Sequence, residues 1–204
     1  GTHLVVADQS NNRVHIWNTL PDRDAQPSDV IVGQPNEKSN VPYMPPAVHG
    51  LQFREPVAVS SDGTRLFVAD LGHNRVLIWN RIPKDSKTPP DVVLGQRDFA
   101  SSESNQGGVN ASSLNGPHDV RSDGTSLAVV DKANHRVLIW NQIPTQSFAP
   151  ADVVLGQPAM NTNTPSATAQ RLNAPEGVAF QNGSLWVSDT ANHRVLRFDP
   201  PFTT

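Results

Sequence analysis

Val68-Ala69-Asp70-Leu71-Gly72-His73-Asn74-Arg75-Val76-Leu77-Ile78-Trp79-Asn80 decides the fold, because the chain writes it four times. Val6-Ala7-Asp8-Gln9-Ser10-Asn11-Asn12-Arg13-Val14-His15-Ile16-Trp17-Asn18 precedes it. Val130-Asp131-Lys132-Ala133-Asn134-His135-Arg136-Val137-Leu138-Ile139-Trp140-Asn141 follows, and Ser188-Asp189-Thr190-Ala191-Asn192-His193-Arg194-Val195-Leu196-Arg197-Phe198-Asp199 is the last copy. Counting from arginine to arginine gives a period of roughly 60 residues, the scale of one sheet per repeat rather than one helix pair. The repeats run over about 1–50, 51–112, 113–171 and 172–204, read as one domain spanning 1–204.

Each unit reads as four short strands. In the second, Pro56-Val57-Ala58-Val59 leads into the turn Ser61-Asp62-Gly63-Thr64, where Asp-Gly supplies positive φ angles for a tight hairpin. Arg65 to Asp70 is the next strand, and Arg75 to Trp79 the one after. Pro83 and Pro89-Pro90 forbid a helix in the loop before Asp91-Val92-Val93-Leu94-Gly95-Gln96. That last segment recurs as Asp29-Val30-Ile31-Val32-Gly33-Gln34 and Asp152-Val153-Val154-Leu155-Gly156-Gln157. No segment keeps a 3.6-residue apolar period, so the chain is all-β. Consecutive apolar residues from Val76 to Trp79 require cover on both faces of the sheet. Four-stranded antiparallel sheets stacked face to face around an axis make a β-propeller. Labelling strands a to d from the axis outward, the chain reads b-c-d, a-b-c-d, a-b-c-d, a-b-c: about 3.5 to 4 blades. His15 stands where the other copies have leucine and Arg197 where they have isoleucine, on opposite faces of their strands. Polar residues on the outer faces of the end units suit an arc of a larger propeller, or one that closes between chains by self-association.

The bulk numbers remove several classes of function. The 204 residues carry a net charge of −3, with lysines only at 38, 84, 87 and 132, so there is no basic field for a polyanion. With no cysteine, neither a disulfide nor thiolate chemistry is available. No apolar run reaches the length of a membrane span, and Gly1 does not begin a signal peptide.

The pattern Asp-x-x-Asn-His-Arg-Val, clearest at Asn134-His135-Arg136 and Asn192-His193-Arg194, resembles the NHL repeat. His73-Asn74-Arg75 and Asn11-Asn12-Arg13 are variants of it. The Ile-Pro and Val-Leu-Gly-Gln segments are similar to those of long-repeat bacterial NHL proteins. The resemblance implies β-propeller blades, in rings of more blades than this chain supplies. It leans the localisation towards an exported bacterial protein, secreted or periplasmic, and implies no single activity.

Asp8/Arg13, Asp70/Arg75, Asp131/Arg136 and Asp189/Arg194 place a carboxylate at one strand end and a guanidinium at the start of the next. A set copied in every blade is structural, since catalysis needs one asymmetric site. Trp17, Trp79, Trp140 and Phe198 belong to the inter-blade core by the same argument. Function is expected where the copies differ. At the start of the inner strands the aligned residues are Val57, His118 and Glu176, then Ala58, Asp119 and Gly177. His118, Asp119 and Glu176 therefore form a candidate channel-mouth site, able to bind a ligand or relay a proton. The links 35–54, 97–116 and 158–174 are rich in Ser, Thr, Asn and Gln, with prolines in the first and third, and long enough to bind something at one rim. Their candidate ligand-binding residues are Tyr43, Arg54, Arg97 and Arg171.

The reading favoured by these residues is a non-enzymatic scaffold that holds a protein, peptide or glycan, with no cofactor and no assigned metal. An alternative is a propeller enzyme resembling metal-dependent lyases or lactonases, with its site at the channel mouth. RNA recognition ranks third, because Lys38, Arg54, Arg97 and Arg171 are balanced by Glu37, Glu55, Asp98 and Glu103.

Overall fold

The computed structural model describes residues 2–41 and 51–202. Among the described residues fourteen strands build four antiparallel sheets. The first holds β1 (Leu4–Asp8), β2 (Arg13–Trp17) and β3 (Val30–Val32). The second holds β4 (Pro56–Ser61), β5 (Leu66–Asp70), β6 (Arg75–Trp79) and β7 (Val92–Leu94). The third repeats this with β8 (Pro117–Ser122), β9 (Leu127–Asp131), β10 (Arg136–Trp140) and β11 (Val153–Leu155). The last has β12 (Gly177–Gln181), β13 (Ser184–Asp189) and β14 (Arg194–Phe198). Sequential strands are neighbours throughout, and the four sheets are propeller blades that do not close into a ring. Among the described residues the first sheet has no inner strand and the last no outer one, in line with the sequence pattern.

Three apolar layers hold the sheets together. Val14, Ile16, Val30 and Val32 of the first sheet meet Leu66, Val68, Leu77, Trp79 and Val93 of the second. Phe67, Ala69, Val76 and Ile78 on the opposite face of that sheet meet Val120, Leu127, Val129 and Leu138 of the third. Ala128, Val130, Val137 and Ile139 then meet Val178, Leu185, Val187 and Leu196. Successive residues on a strand thus serve different layers, which is why both parities of the central strands are apolar. The three repeated indoles each bond their N–H to a carbonyl nine residues on: Trp17 to Gln26, Trp79 to Thr88 and Trp140 to Ala149, at 3.1, 3.0 and 3.1 Å.

The layers end abruptly. His15 lies on the outward face of the first sheet, stacked on Trp17 at 5.5 Å and hydrogen-bonded to the Ser28 hydroxyl at 2.8 Å. Arg197 lies on the outward face of the last sheet, beside Trp186 and paired with Asp199 at 2.7 Å. Val6 on the first of these faces and Trp186 and Val195 on the second are exposed.

Two hairpin types occur. Only Gly63 takes a positive φ in the Asp62-Gly63 turn; Asp62 acts through its carboxylate, which accepts N–H bonds from Thr64 (3.0 Å) and Arg65 (2.8 Å). In the last sheet, Asn182 and Gly183 both have positive φ, 52° and 79°, giving a two-residue hairpin.

Candidate functional site

The repeated turn comes first because it fixes everything on the rim. After each Asp a three-residue 3-10 turn leads to a residue in the left-handed region: Asn12, Asn74, His135 and His193, at φ of 54°, 52°, 53° and 52°. One carboxylate oxygen of each Asp accepts the Arg Nε–H, at 2.8, 2.8, 2.7 and 2.7 Å along the chain. The third turn residue donates to the same carboxylate: Asn11 at 3.0 Å, Asn134 at 2.8 Å and Asn192 at 2.8 Å, with the His73 ring at 2.9 Å in the second copy. The other oxygen accepts a backbone N–H sixteen residues back, from Arg54, Asn115 and Asn173.

Most other bonds of this cassette reach main chain, the paired side-chain amides of Asn134 and Asn105, at 2.7 and 3.1 Å, being an exception. The guanidinium donates to a carbonyl twenty-four residues on, at Glu37, Phe99 and Met160. It also donates to one twenty-three residues back, at Gln52, Ser113 and Arg171. One arginine therefore ties the loop entering its sheet to the loop leaving it. The left-handed residue reaches the next sheet: Asn12 Oδ1 accepts from Glu55 N (2.9 Å), Asn74 Oδ1 from Gly116 N (2.9 Å) and His135 Nδ1 from Ala174 N (3.0 Å). An Nδ1 that accepts an N–H carries no proton, so His135 is neutral there, and burial lowers its pKa. Gln34, Gln96 and Gln157 complete the pattern. Their amides donate to the carbonyls of Asn12, Asn74 and His135 and to the rim carbonyls of Val41, Glu103 and Thr164.

At the inner strands the three aligned residues separate into two roles. The His118 Nδ1–H donates to the Glu176 carbonyl at 2.9 Å, joining β8 to the start of β12 and leaving Nε2 as the group available to a ligand. The Glu176 carboxylate pairs with Lys132 Nζ at 2.6 Å, which holds its pKa below the usual range. Asp119 is instead spent on backbone: it accepts from Val120 N at 2.9 Å and from Val178 N at 3.1 Å, with Arg121 Nε at 3.2 Å. His118 and Glu176 are thus brought together, and Asp119 is a strand-to-strand bridge beside them. Among the described residues no group of three or more His, Asp or Glu is placed to hold a metal ion. Lys132 was not singled out from the sequence. Its signal was present: it is the one charged residue at a variable position of the repeated turn, aligned with Gln9, Leu71 and Thr190.

The rim arginines are separately placed. Arg54 lays its stem over Gly72, at which any side chain would meet it. Arg97 is exposed and sits over the Phe148 ring at 5.5 Å. Arg171 lies between two cavities, one of about 420 Å³ shared with Val154, Leu155 and Phe198, and one of about 540 Å³ under Thr162 to Thr168. Tyr43 falls outside the described residues.

The NHL repeat matches residues 172–198. No curated protein matches the chain in sequence. Among solved structures, the chain is matched to the crystal structure of the computationally designed Ika8 protein at 12% identity and a TM-score of 0.44, over 98% of this chain. The chain spans 46% of that protein's length. NHL repeats generally mediate protein interactions. The NHL repeat is thus matched in the last unit, the other three units share its Asp–Arg turn, and the repeated antiparallel sheets are consistent with propeller blades of NHL type.

Proposed function

We propose that the chain is a rigid interaction scaffold that holds a protein, peptide or glycan through its rim loops and the mouth formed by His118, Glu176 and Lys132. One observation carries this reading. The Asp–Arg pairs, the glutamines and the left-handed residues grip the rim loops almost wholly by backbone carbonyls and amides. These main-chain contacts fix the path of the described loops without requiring a particular side chain at the gripped positions, so the sequence at those positions can vary at little cost to the fold. Arg97 and Arg171, displayed beside an aromatic ring and two cavities, are the anchors best placed for a ligand carboxylate or carbonyl. The near balance of charge on the rim favours a polar or mixed ligand over a polyanion.

A random peptide library displayed on phage and panned on the immobilised chain tests the reading. Enriched binders should lose at least tenfold in affinity to the Arg97→Ala/Arg171→Ala double variant while its melting temperature is unchanged. Enrichment indifferent to both arginines and to His118→Ala would refute it.

A further inference from the structure

Four dipeptides in the chain join Asp or Asn to glycine: Asp62-Gly63, Asn115-Gly116, Asp123-Gly124 and Asn182-Gly183. Glycine leaves its own backbone nitrogen unhindered, so that nitrogen can close a ring on the carbonyl carbon of the preceding side chain. For asparagine the step needs no co-reactant. The N–Cγ bond forms as the Cγ–Nδ2 bond breaks, the glycine amide proton leaves with Nδ2 as ammonia, and a succinimide remains. Water then opens the ring at either carbonyl, giving aspartate or, with the main chain routed through Cβ, isoaspartate. A carboxylate resists the same attack because it is already an anion.

Three of the four dipeptides are held against this step. In the two Asp-Gly hairpins the glycine N–H donates to a serine two residues back, Gly63 to Ser61 Oγ at 3.0 Å and Gly124 to Ser122 Oγ at 2.9 Å. Their carboxylates are engaged as well, Asp62 by Thr64 and Arg65 N, and Asp123 by Thr125 and Ser126 N. At Asn115-Gly116 the glycine N–H donates to Asn74 Oδ1 at 2.9 Å. The Asn115 N–H and carbonyl are pinned by Asp131 Oδ1 at 2.7 Å and Ala133 N at 3.1 Å. A nitrogen engaged in this way cannot ionise and turn onto Cγ until its bond is broken.

Asn182-Gly183 has none of these restraints. Gln181 stands where the other hairpins have serine. Among the described residues neither the Gly183 N–H nor the Asn182 side chain has a hydrogen-bond partner. Both residues are exposed, and a Cβ at Gly183 would meet nothing within 4 Å. That openness belongs to the hairpin and not to the place of this sheet in the array, since Gly63 and Gly124 are equally clear. A hairpin tip of this kind opens locally at small cost.

We propose that Asn182 is a site of spontaneous deamidation and that the Asn74 latch protects Asn115 from the same reaction. The new carboxylate arises in a groove of about 260 Å³ shared with Gln181, Ser184, Trp186 and Arg197. The isoaspartyl product adds one main-chain atom inside a two-residue turn, against the Gln181–Ser184 pairing. The site uses neither the rim arginines nor the channel mouth and stands apart from the scaffold reading.

The test is peptide mapping by mass spectrometry of the 204-residue chain, held in mildly alkaline buffer well below its melting temperature. Asn182 should gain the mass of the amide-to-acid change about tenfold or more faster than Asn115. In concentrated urea the two should convert at similar rates, because folding alone separates them. Asn74→Ala should release Asn115 in the folded chain. Asn74→His, which copies the His135 latch and keeps an acceptor, should leave Asn115 protected. The proposal is overturned if Asn182 stays unmodified in the folded chain, or if Asn115 converts as fast as Asn182. It is also overturned if Asn115 remains silent in a folded Asn74→Ala variant, since the latch would then not be the shield.

Discussion

Arg136→Ala is the most informative single perturbation. The side chain is fully buried, pairs with a fully buried Asp131, and donates to the Met160, Asn110 and Ser113 carbonyls. Its removal leaves Asp131 with the bonds from Asn115 N and Asn134 but with no counter-charge. Breaking one partner out of a buried pair costs about 3–5 kcal/mol. At this chain length each kcal/mol is worth about 2–4 °C, so the melting temperature should fall by roughly 6–20 °C. The repeat supplies its own controls. Arg75 is equally buried, whereas the Arg13 and Arg194 side chains are 13% and 26% exposed at the two ends of the array. Water compensates part of the loss at those ends, so Arg13→Ala and Arg194→Ala should cost less, on the order of 1–2 kcal/mol. Calorimetry of the four alanine variants measures the order directly. Equal losses at all four sites, or no loss at Arg136, would refute the argument that the pairs act by tying buried loops.

His135→Asn makes the third junction chemically like the first two. With its folded pKa below the ordinary 6.5, neutral His135 contributes stability above that pH and loses it as pH falls through the depressed value. The variant should match wild type at pH 7.5 and lose less on acidification, read as denaturation midpoint against pH; parallel curves would contradict the latch to Ala174. Gly95→Ala should cost about 1–3 kcal/mol in a denaturant titration, because a Cβ at φ +87° would approach the Asn74 carbonyl to 2.7 Å and Leu114 to 2.8 Å. Gly63→Ala, at φ +94° with nothing within 4 Å, should cost only about 1 kcal/mol of backbone strain; equal losses would mean the close approach is unimportant.

Much of this was legible in the chain itself. Four copies of one turn gave the sheets, the missing strands at both ends and the outward faces marked by His15 and Arg197. Repetition made the Asp–Arg pair readable, because a local bond between adjacent strands recurs at a fixed spacing. What the guanidinium does next was not readable, since its partners are carbonyls, present at every residue and therefore silent in sequence. The same holds for Asp119: its aligned position suggested a channel ligand, and only the structure shows it bonded to the Val178 amide of the next inner strand. His135 hid in plain view for a related reason. Asn and His both tolerate the left-handed backbone and both accept an N–H, so the motif conserves geometry while changing the titration.

Hydrogen exchange across the whole chain tests the central claim, an array of blades held by repeated turns with unsatisfied edges at its ends. The amides of β5, β6, β9 and β10, each with a strand on both sides, should exchange slowest and as a group, while those on the outer edge of β14 exchange fast. Protection of β14 equal to that of β6 would contradict the account, because its edge would then already be covered.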